Sequence, residues 1–366
     1  MLSSRNVMDT GLFWDQFRLI DEDEFNKENE RTRIEDGDVL LTIVGTIGRS
    51  CVVRNITRRF TLQRSVAVFG SNKIVPEFLS LQFKSPEMQV YLERNSKGAA
   101  QKGIYLKQLK NIYIAVPPFD EQKRIVGKLE SLLSRIEKTI DSLQLSIELK
   151  NSLMQSSLDN AFSHIVSRRK VEDLVEVKGG KRLPKEGNLQ DDKTAYPYIR
   201  VSDFTNKGTI DLSGIKYISQ ELHEQIKRYV ISKDDLYISI AGTIGKTGFV
   251  PPELDGSNLT ENAAKLVIKD KKTLNLNYLY FFTLTNDFSE QSGLATKVVA
   301  QPKLALTRLS KIFIPICPIE EQLQIVNSIE KVKATVHKIQ YELETKISYL
   351  NELKSSVLDS AFKGQL

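Results

Sequence analysis

Residues 118–122 read Pro-Phe-Asp-Glu-Gln, and residues 318–322 read Pro-Ile-Glu-Glu-Gln, 200 positions later. A second pair of stretches has the same offset: residues 158–162 read Leu-Asp-Asn-Ala-Phe, and residues 358–362 read Leu-Asp-Ser-Ala-Phe. Self-similarity at a fixed spacing indicates a repeated structural unit. The chain of 366 residues is therefore interpreted as two copies of one unit, each a globular part followed by a long segment.

A third match lies inside the globular parts. Residues 37–50 contain the run Val-Leu-Leu-Thr-Ile-Val before Gly-Thr-Ile-Gly, and residues 234–247 contain Leu-Tyr-Ile-Ser-Ile-Ala before the same four residues, at an offset of 197. This pattern predicts a strand, a tight turn and a return strand at residues 51–53 and 248–250. The other predicted elements are strands at 66–69, 264–268, 111–116 and 311–316, and helices at 76–82 and 277–284. Each globular part is thus predicted to be a mixed α/β domain.

The long segments are predicted to be helices. Apolar residues recur at steps of three and four, which indicates one helix of about 40 residues in each copy, roughly 60 Å long. Because so narrow an apolar stripe needs a partner, we expect the two helices to form an antiparallel coiled coil; two surface helices on separate cores are the alternative. The residues expected to pack between the helices are Ile125, Leu129, Leu132, Ile136, Leu143, Ile325, Ile329, Val332, Val336 and Leu343. The predicted boundaries are 1–119 and 163–319 for the domains, with 120–162 and 320–366 for the helices and the C-terminal tail.

Composition excludes several classes of protein. No apolar run approaches the roughly 18 residues of a membrane span, so we expect a soluble, cytoplasmic protein without a membrane partner. The two cysteines and three histidines have no paired spacing, which argues against a disulfide framework or a zinc site. The net charge is +6, and the basic excess falls on the globular parts, which permits an anionic partner.

The sequence offers no catalytic constellation. The stretch from Gly242 to Thr247 has two residues between its glycines, whereas a phosphate-binding P-loop needs four. Pro117-Pro118-Phe119 is similar to part of the Asn-Pro-Pro-aromatic motif of amino-methyltransferases, but Val116 stands at the Asn position. We therefore expect a protein that is not an enzyme.

Basic and amide side chains in matching loops are the candidate DNA contacts. Lysine suits phosphate contacts, and glutamine can pair with the edge of adenine. For any one of these residues, the alternative to a DNA contact is a solvated surface position without a binding role. For the basic residue that follows Gly-Thr-Ile-Gly, the alternative is a purely structural turn. The candidates are Arg5, Asn6, Arg49, Lys97, Gln101, Lys102, Lys178, Lys181, Arg182, Arg200, Lys246, Lys297 and Gln301.

Taken together, the duplicated Pro-x-x-Glu-Gln helix starts, the Gly-Thr-Ile-Gly hairpins and the closing Ala-Phe-Lys-Gly-Gln-Leu at 361–366 resemble the specificity subunit of type I restriction-modification systems. The resemblance implies two target recognition domains, each reading one half of a bipartite double-stranded DNA site, with the helices as a spacer and no catalysis by this chain. It also implies two methyltransferase subunits and restriction subunits as partners. These partners, and not this chain, would carry S-adenosylmethionine, ATP and magnesium, in a bacterial or archaeal cytoplasm.

The first copy departs from the second at its start. Residues 1–7 align with residues 198–204, so the first domain has no counterpart to roughly 35 residues, 163–197. We expect this domain to bind DNA weakly or with altered specificity unless another chain supplies the missing strand. A stand-alone DNA-binding regulator and a coiled-coil adaptor for protein or carbohydrate are the competing functions; the adaptor predicts no salt-dependent DNA binding.

Overall fold

The computed structural model of the chain describes residues 1–70, 72–98, 102–293 and 303–366. These residues form two compact units. Unit 1 comprises Met1–Leu145 and Glu342–Leu366, and unit 2 comprises Ser146–Tyr341. Each unit therefore holds one globular part together with a portion of both long helices. These units are defined by which residues pack together, whereas the predicted domain boundaries are defined by the sequence repeat.

The globular part of unit 1 is built around a three-stranded antiparallel sheet with the order β4-β3-β5. Its central strand is fully buried, and its apolar side chains fit that position because both faces are covered. The elements are β1 (Val7–Met8), β2 (Gly11–Leu12), α1 (Glu22–Thr32), β3 (Val39–Thr42), β4 (Ser50–Val52), β5 (Val66–Phe69), α2 (Pro76–Phe83), α3 (Pro86–Arg94), α4 (Leu106–Leu109) and the long helix α5 (Phe119–Ser163).

Unit 2 repeats this sheet with an additional strand and adds a second sheet. The first has the order β12-β11-β14-β7, the second β10-β13-β8-β9, and a third pairs β15 with β6. The elements are β6 (Arg168–Lys170), α6 (Val171–Leu174), β7 (Val175–Gly179), β8 (Pro197–Ile199), β9 (Lys216–Tyr217), α7 (Gln220–Ile226), β10 (Val230–Ile231), β11 (Leu236–Ser239), β12 (Thr247–Phe249), β13 (Ser257–Leu259), β14 (Ala263–Ile268), α8 (Leu276–Thr283), α9 (Asn286–Ser292), α10 (Leu306–Ser310), β15 (Phe313–Pro315) and α11 (Ile319–Phe362).

The predicted hairpins are confirmed in both units. β3 pairs with β4, and β11 pairs with β12, both antiparallel. All four turn glycines, Gly45, Gly48, Gly242 and Gly245, have φ between 76° and 94°, a conformation that side chains with a Cβ rarely adopt. The Gly-Thr-Ile-Gly sequence is therefore a turn dictated by backbone geometry.

One predicted strand is wrong. Residues 111–116 of unit 1 are not in a strand, although the matching residues of unit 2 contain β15. The reason lies in the partner strand: β15 pairs with β6, and β6 belongs to the segment 163–197, which has no counterpart in residues 1–119. A strand exists only where another strand supplies its hydrogen bonds.

The two predicted long helices are confirmed, with 45 residues in α5 and 44 in α11. In unit 1 the start of α5 packs against the end of α11: Leu129 and Leu133 share one apolar cluster with Leu358, and Lys354 pairs with Glu137 at 2.6 Å. The helices are antiparallel there, as predicted.

The same antiparallel arrangement occurs in unit 2. Leu158 and Phe162, near the end of α5, lie in one cluster with Ile325 and Ile329 from the start of α11. Phe162 also packs on the ring of Tyr278 with a centroid distance of 4.9 Å, which joins the helix end to the globular core of the same unit. Each helix pair thus shares its apolar cluster with a globular part.

The stripe of residues expected between the helices is buried unevenly. Ile125, Leu129, Ile136, Ile325, Ile329 and Val336 are buried, whereas Leu132, Leu143, Val332 and Leu343 are half-buried. The apolar cluster of unit 1 contains Leu133, whereas the residue predicted to pack there is its neighbour Leu132. Adjacent leucines satisfy the same periodicity, so spacing alone does not choose between them.

Candidate nucleic-acid interface

The segment after β7 is fixed in position by backbone contacts to two sheets. Gly180 N–H donates to the carbonyl of Ala263 at 2.9 Å, and Lys181 N–H donates to Leu259 at 2.8 Å. A Cβ on Gly180 would lie 2.1 Å from the carbonyl oxygen of Thr260, so only glycine fits this crossing. Tyr198 Oη donates to the carbonyl of Lys181 at 2.8 Å. The backbone of Lys181 is therefore held on both sides.

An aromatic side chain lies beside the Lys181 ammonium group. Its Nζ is 5.6 Å from the ring centroid of Tyr229, within the range of a cation–π contact. Arg228, which precedes Tyr229, is exposed. One cationic side chain thus contacts this half-buried ring, and a second, exposed cation precedes the ring in the chain.

Arg182 is anchored by a carboxylate while most of its side chain stays in solvent. Its Nε donates to Glu261 Oε1 at 2.9 Å, and its side chain is 82% exposed. Partial burial tends to raise the pKa of Glu261, but hydrogen bonds from Thr260 and Arg182 outweigh it and lower that pKa below its usual value. Glu261 therefore stays ionised and orients the guanidinium, whose remaining donors face water.

A pair of stacked aromatic rings lies in the same part of unit 2. The rings of Tyr196 and His223 stack with a centroid distance of 4.3 Å, and His223 Nδ1 is 2.8 Å from Asn258 Oδ1. Tyr196 and Tyr229 line the same small apolar cluster. We call the set Lys181, Arg182, Tyr196, His223, Arg228 and Tyr229 the Lys181 patch.

The Lys181 patch combines positive charge with flat, partly exposed rings on a rigid backbone. Lysine and arginine at such a surface can contact phosphate oxygens and fix the register of a protein on DNA. A guanidinium held by a carboxylate keeps a defined direction, as base readout in a groove requires. The arrangement therefore suits the phosphate backbone and bases of a nucleic acid.

In unit 1, two of the candidate lysines lie together at the base of one loop. Lys97 and Gly103 exchange two backbone hydrogen bonds of 2.8 and 2.9 Å, and Gly45 N–H donates to the carbonyl of Lys102 at 3.1 Å. Both lysine side chains are exposed. The loop base is thus tied to the Gly-Thr-Ile-Gly turn, with Lys97 and Lys102 beside it.

Arg49 and Lys246, which follow the two turns, point to neighbouring backbone or sulfur atoms of their own units. Arg49 Nη1 is 3.2 Å from Met8 Sδ, and Lys246 Nζ donates to the carbonyl of Phe204 at 3.2 Å. Arg49 and Lys246 are equivalent positions of the repeat, since they differ by the offset of 197. Each contacts the early segment of its own unit that the same alignment matches. The positions of these two side chains favour a structural role for Arg49 and Lys246 over a DNA contact.

One candidate, Asn6, is corrected by the structure, and another, Arg200, is paired within its own unit. Asn6 is only 1% exposed; its Oδ1 accepts from Ser3 N, and its Nδ2 donates to the carbonyls of Phe13 and Asp15. Arg200 donates to the buried carboxylate of Asp203 at 2.7 Å and to a backbone carbonyl at 2.7 Å. The amide of Asn6 is therefore used up inside unit 1 and is not free to read a base, whereas Arg200 is an arginine held by a carboxylate, as Arg182 is.

The remaining candidates divide into two groups. Arg5 is exposed in unit 1, and Lys178 is exposed on β7 and forms an ion pair with Glu176. Gln101, Lys297 and Gln301 lie outside the described residues. Sequence reasoning missed Tyr196, His223, Arg228 and Tyr229; the only local signal is the triplet Lys-Arg-Tyr at 227–229, because the other members are brought together by tertiary packing.

Two kinds of feature are absent from the described residues. Within 1–70, 72–98, 102–293 and 303–366, no helix is both long enough and apolar enough to cross a bilayer. Within the same ranges, no three His, Cys, Asp or Glu side chains are grouped closely enough to hold a metal ion.

Comparison with known families places both halves of the chain in one group. A family described as the type I restriction modification DNA specificity domain matches residues 18–144 and 166–348. The EcoBI specificity subunit of Escherichia coli is 26% identical over 300 residues, which cover 75% of this chain and 63% of that subunit. The StySPI specificity subunit of Salmonella potsdam is 21% identical over 93% of this chain and 77% of its own length.

Solved structures with a similar fold come from the same group. A chain from a study of complex assembly and conformational transition of the type I R-M system superposes with a TM-score of 0.75 at 21% identity, covering 91% of this chain and 83% of that one. The HsdS subunit from Thermoanaerobacter tengcongensis gives a TM-score of 0.57 at 21% identity, with coverages of 91% and 82%. At this identity the likeness concerns the fold.

Proposed function

The chain belongs to the family of type I restriction-modification DNA specificity domains, and from this membership we propose that it reads the DNA target of a type I restriction-modification complex. The chain spans 63% of the length of the E. coli relative. Its substrate and partners are therefore proposed on the family and on the surface of the two units. Each unit would read one half of a bipartite double-stranded site.

The observation that carries this proposal is the Lys181 patch. Its backbone is fixed at Gly180, Arg182 is oriented by Glu261, and Lys181 lies beside the ring of Tyr229. Phosphate contacts of this kind position a protein, while oriented arginine donors discriminate bases. In unit 1 the exposed Lys97 and Lys102 lie beside the hairpin turn, at positions of the repeat different from that of the Lys181 patch.

The proposed role needs no reaction at this chain. We assign the transfer of methyl groups to methyltransferase subunits, two in number, that carry S-adenosylmethionine, and cleavage to restriction subunits that use ATP and magnesium. The paired helices α5 and α11 would provide the scaffold on which these subunits assemble, and their length would set the gap between the half-sites. In the proposed complex this chain contributes binding, orientation and sequence choice.

Methylation mapping tests the proposal. The chain would be co-expressed with the methyltransferase subunit of its own system, and the methylated adenines of the host DNA would be sequenced. A bipartite motif with a fixed gap is expected. Random methylation, or a motif that is unchanged when this chain is omitted, would contradict the proposal.

A charge-reversal variant assigns one half of the motif to unit 2. Lys181→Glu combined with Arg228→Glu should abolish or relax the half-site read by unit 2 while the other half persists. Lys272→Glu is the matched control, because Lys272 is an exposed lysine of unit 2 beyond the other end of β14. Equal loss in the control variant would indicate a general effect of charge.

A further inference from the structure

His223 of the Lys181 patch lies in the first turn of α7. Ser219 caps this helix: its side chain accepts from Leu222 N–H at 3.3 Å, and its carbonyl accepts from His223 N–H at 3.0 Å. The imidazole lies against β13, which is paired on both sides, with β10 and with β8. The ring thus stands between a capped helix and the interior of a sheet.

The Asn258 amide determines which nitrogen of His223 carries a proton. Asn258, on β13, is fully buried, and its Nδ2 donates to the carbonyl of Ile226 at 3.1 Å. That carbonyl belongs to the last turn of α7, where carbonyl groups have no donor within the helix. Since a carbonyl only accepts, the amide turns its own oxygen, Oδ1, to His223 Nδ1 at 2.8 Å. Oδ1 also only accepts, so Nδ1 holds the proton and donates it.

The second ring nitrogen, Nε2, is left open. It has no hydrogen-bond partner among the residues that the structure describes. In that same part of the chain, the buried side-chain polar atoms without a partner are Gln82 Oε1 and Ser257 Oγ, so solvent reaches Nε2. With the proton on Nδ1, the neutral imidazole has a lone pair at Nε2. His223 therefore presents a hydrogen-bond acceptor to the surroundings of unit 2.

The ring that carries this acceptor has one defined orientation. Tyr196 stacks on its face with a centroid distance of 4.3 Å and an angle of 22° between the two planes. The hydrogen bond to Asn258 fixes the ring within that plane. An acceptor held in this way loses little conformational freedom when it binds a partner, so its direction can discriminate between ligands.

The charged neighbours in the patch offer donors. Lys181, Arg182 and Arg228 can only donate. Glu261 already accepts from Arg182 and from a threonine hydroxyl. Donors match phosphate oxygens and the O6 and N7 atoms of guanine, whereas the exocyclic amino groups of adenine and cytosine require an acceptor. Nε2 of His223 is the open group that supplies one.

We propose that His223 Nε2 reads an exocyclic amino group, the N6 of adenine or the N4 of cytosine, by accepting a hydrogen bond from it in the half-site of unit 2. This assignment rests on the proposed function and deepens it, because it names a specificity-determining residue. Asn258 is a positioning residue: it sets the tautomer of His223 from inside the sheet and contacts no base.

A second proton on the ring would reverse its preference. Histidine is the side chain that changes charge between about pH 8 and 5, and an imidazolium donates from both nitrogens. The phenol of Tyr196 and the amide of Asn258 face the ring from the segment before β8 and from β13. On α7 itself, Glu224 interacts with the charge of His223 and pairs with Lys227 at 2.8 Å. Protonated His223 would therefore no longer match an amino group.

Nitrogen NMR tests the tautomer without DNA. The chain has three histidines, so labelling them with nitrogen-15 gives three rings, and His223→Asn identifies the signals of His223 by their loss. In the full chain at about pH 8, where histidine is mainly neutral, we expect a protonated Nδ1 and an unprotonated Nε2. A proton on Nε2 instead would overturn the assignment, whatever the chain binds.

Base analogues test the contact itself. The full chain, in complex with the methyltransferase subunit of its system, would be titrated with target duplexes in which one adenine or cytosine at a time lacks its amino group. One replacement should weaken binding by wild type about tenfold, and its position shows whether adenine or cytosine is read. His223→Asn keeps a donor for Asn258 but has no atom at the place of Nε2, so the same replacement should cost it nothing further. His164→Asn, at an exposed histidine of unit 2, should behave as wild type.

The pH profile separates base reading from other roles of the ring. Discrimination by wild type should disappear as the pH falls from about 8 to 5, whereas His223→Gln, with an uncharged amide at the place of Nε2, should discriminate equally throughout. Tighter binding and a steeper salt dependence of wild type at low pH, with no analogue affected, would indicate a phosphate contact and overturn the assignment. A bipartite methylation motif without any analogue coupled to His223 would overturn it too, while the proposed function would stand.

Discussion

Gln122 and Gln322 make the same set of hydrogen bonds in the two units, 200 residues apart. Gln122 Oε1 accepts from Val75 N–H at 2.8 Å, and its Nε2 donates to the carbonyl of Pro117 at 2.8 Å. Gln322 Oε1 accepts from Asn275 N–H at 2.9 Å, and its Nε2 donates to the carbonyls of Cys317 and Thr273. Each buried amide thus ties the start of a long helix to the start of a domain helix.

Substitution of either glutamine should destabilise its own unit. Gln122→Ala or Gln322→Ala leaves a buried backbone N–H and at least one carbonyl without a partner, which costs about 1–3 kcal/mol. Urea denaturation would measure the loss. Gln144→Ala, on an exposed position of α5, should change stability by less than about 0.5 kcal/mol. A similar loss in all three variants would contradict a specific role for the buried amides.

Direct DNA binding should report the charge of the Lys181 patch. If Lys181 and Arg228 each neutralise a phosphate, replacing either with alanine lowers the slope of log affinity against log salt by about 1. The measurement is a titration of target duplex at several salt concentrations. Lys272→Ala serves as the control. Unchanged slopes in both patch variants would remove these residues from the DNA contact.

Gly180→Ala should disturb the patch without removing any functional group. The new methyl would lie 2.1 Å from the Thr260 carbonyl, so the Lys181 segment must move or the two sheets must separate. We expect reduced stability of unit 2 and weaker DNA binding together. Gly214→Ala is the matched control because its Cβ would meet open space. Wild-type behaviour of Gly180→Ala would show that the crossing tolerates a side chain.

Alkaline pH should weaken unit 1 through a buried thiol. Burial raises the pKa of Cys51 from 9.0 to about 11, with the nearby Lys84 opposing the shift and Asp9 adding to it. Because the folded pKa is the higher one, the stabilisation is complete below pH 9.0 and is lost as pH rises through about 11.

The comparison is between wild type and Cys51→Ala. The free energy of unfolding by urea should fall more steeply for wild type than for the variant between pH 9.0 and about 11. Burial raises the pKa of the half-buried Cys317 as well, so Cys317→Ala measures the part of the pH dependence that comes from unit 2. Parallel pH curves for wild type and Cys51→Ala would contradict the assignment.

The repeat explains which parts of the fold can be predicted from sequence. Glycine turns, long apolar periodicity and prolines before helices act locally, so the hairpins and both long helices follow from short stretches. The strand at residues 111–116 fails because its existence depends on β6, a distant segment present only in the second copy. Local pattern describes what a stretch can form, and the partner decides whether it does.

The candidate interface shows the same limit at the level of side chains. Lys181 and Arg182 stand out as cations beside glycines, but Asn6 has an equally suitable side chain and is buried in a loop. Tyr229 and Tyr196 join the patch from elements more than thirty residues apart in sequence. Burial and convergence are products of packing, which composition and spacing do not contain.

Unit 1 is built from two segments that lie far apart in the sequence, and this affects how it folds during synthesis. Its apolar cluster joins Leu129 and Leu133 to Leu358 and Ala361, which the ribosome adds roughly 230 residues later. At ordinary elongation rates this interval lasts roughly 10 to 45 seconds. Unit 2, by contrast, is one continuous stretch, Ser146–Tyr341. During synthesis, therefore, unit 2 can fold before unit 1. Until residues 342–366 have been added, the apolar face of α5 in unit 1 stays exposed.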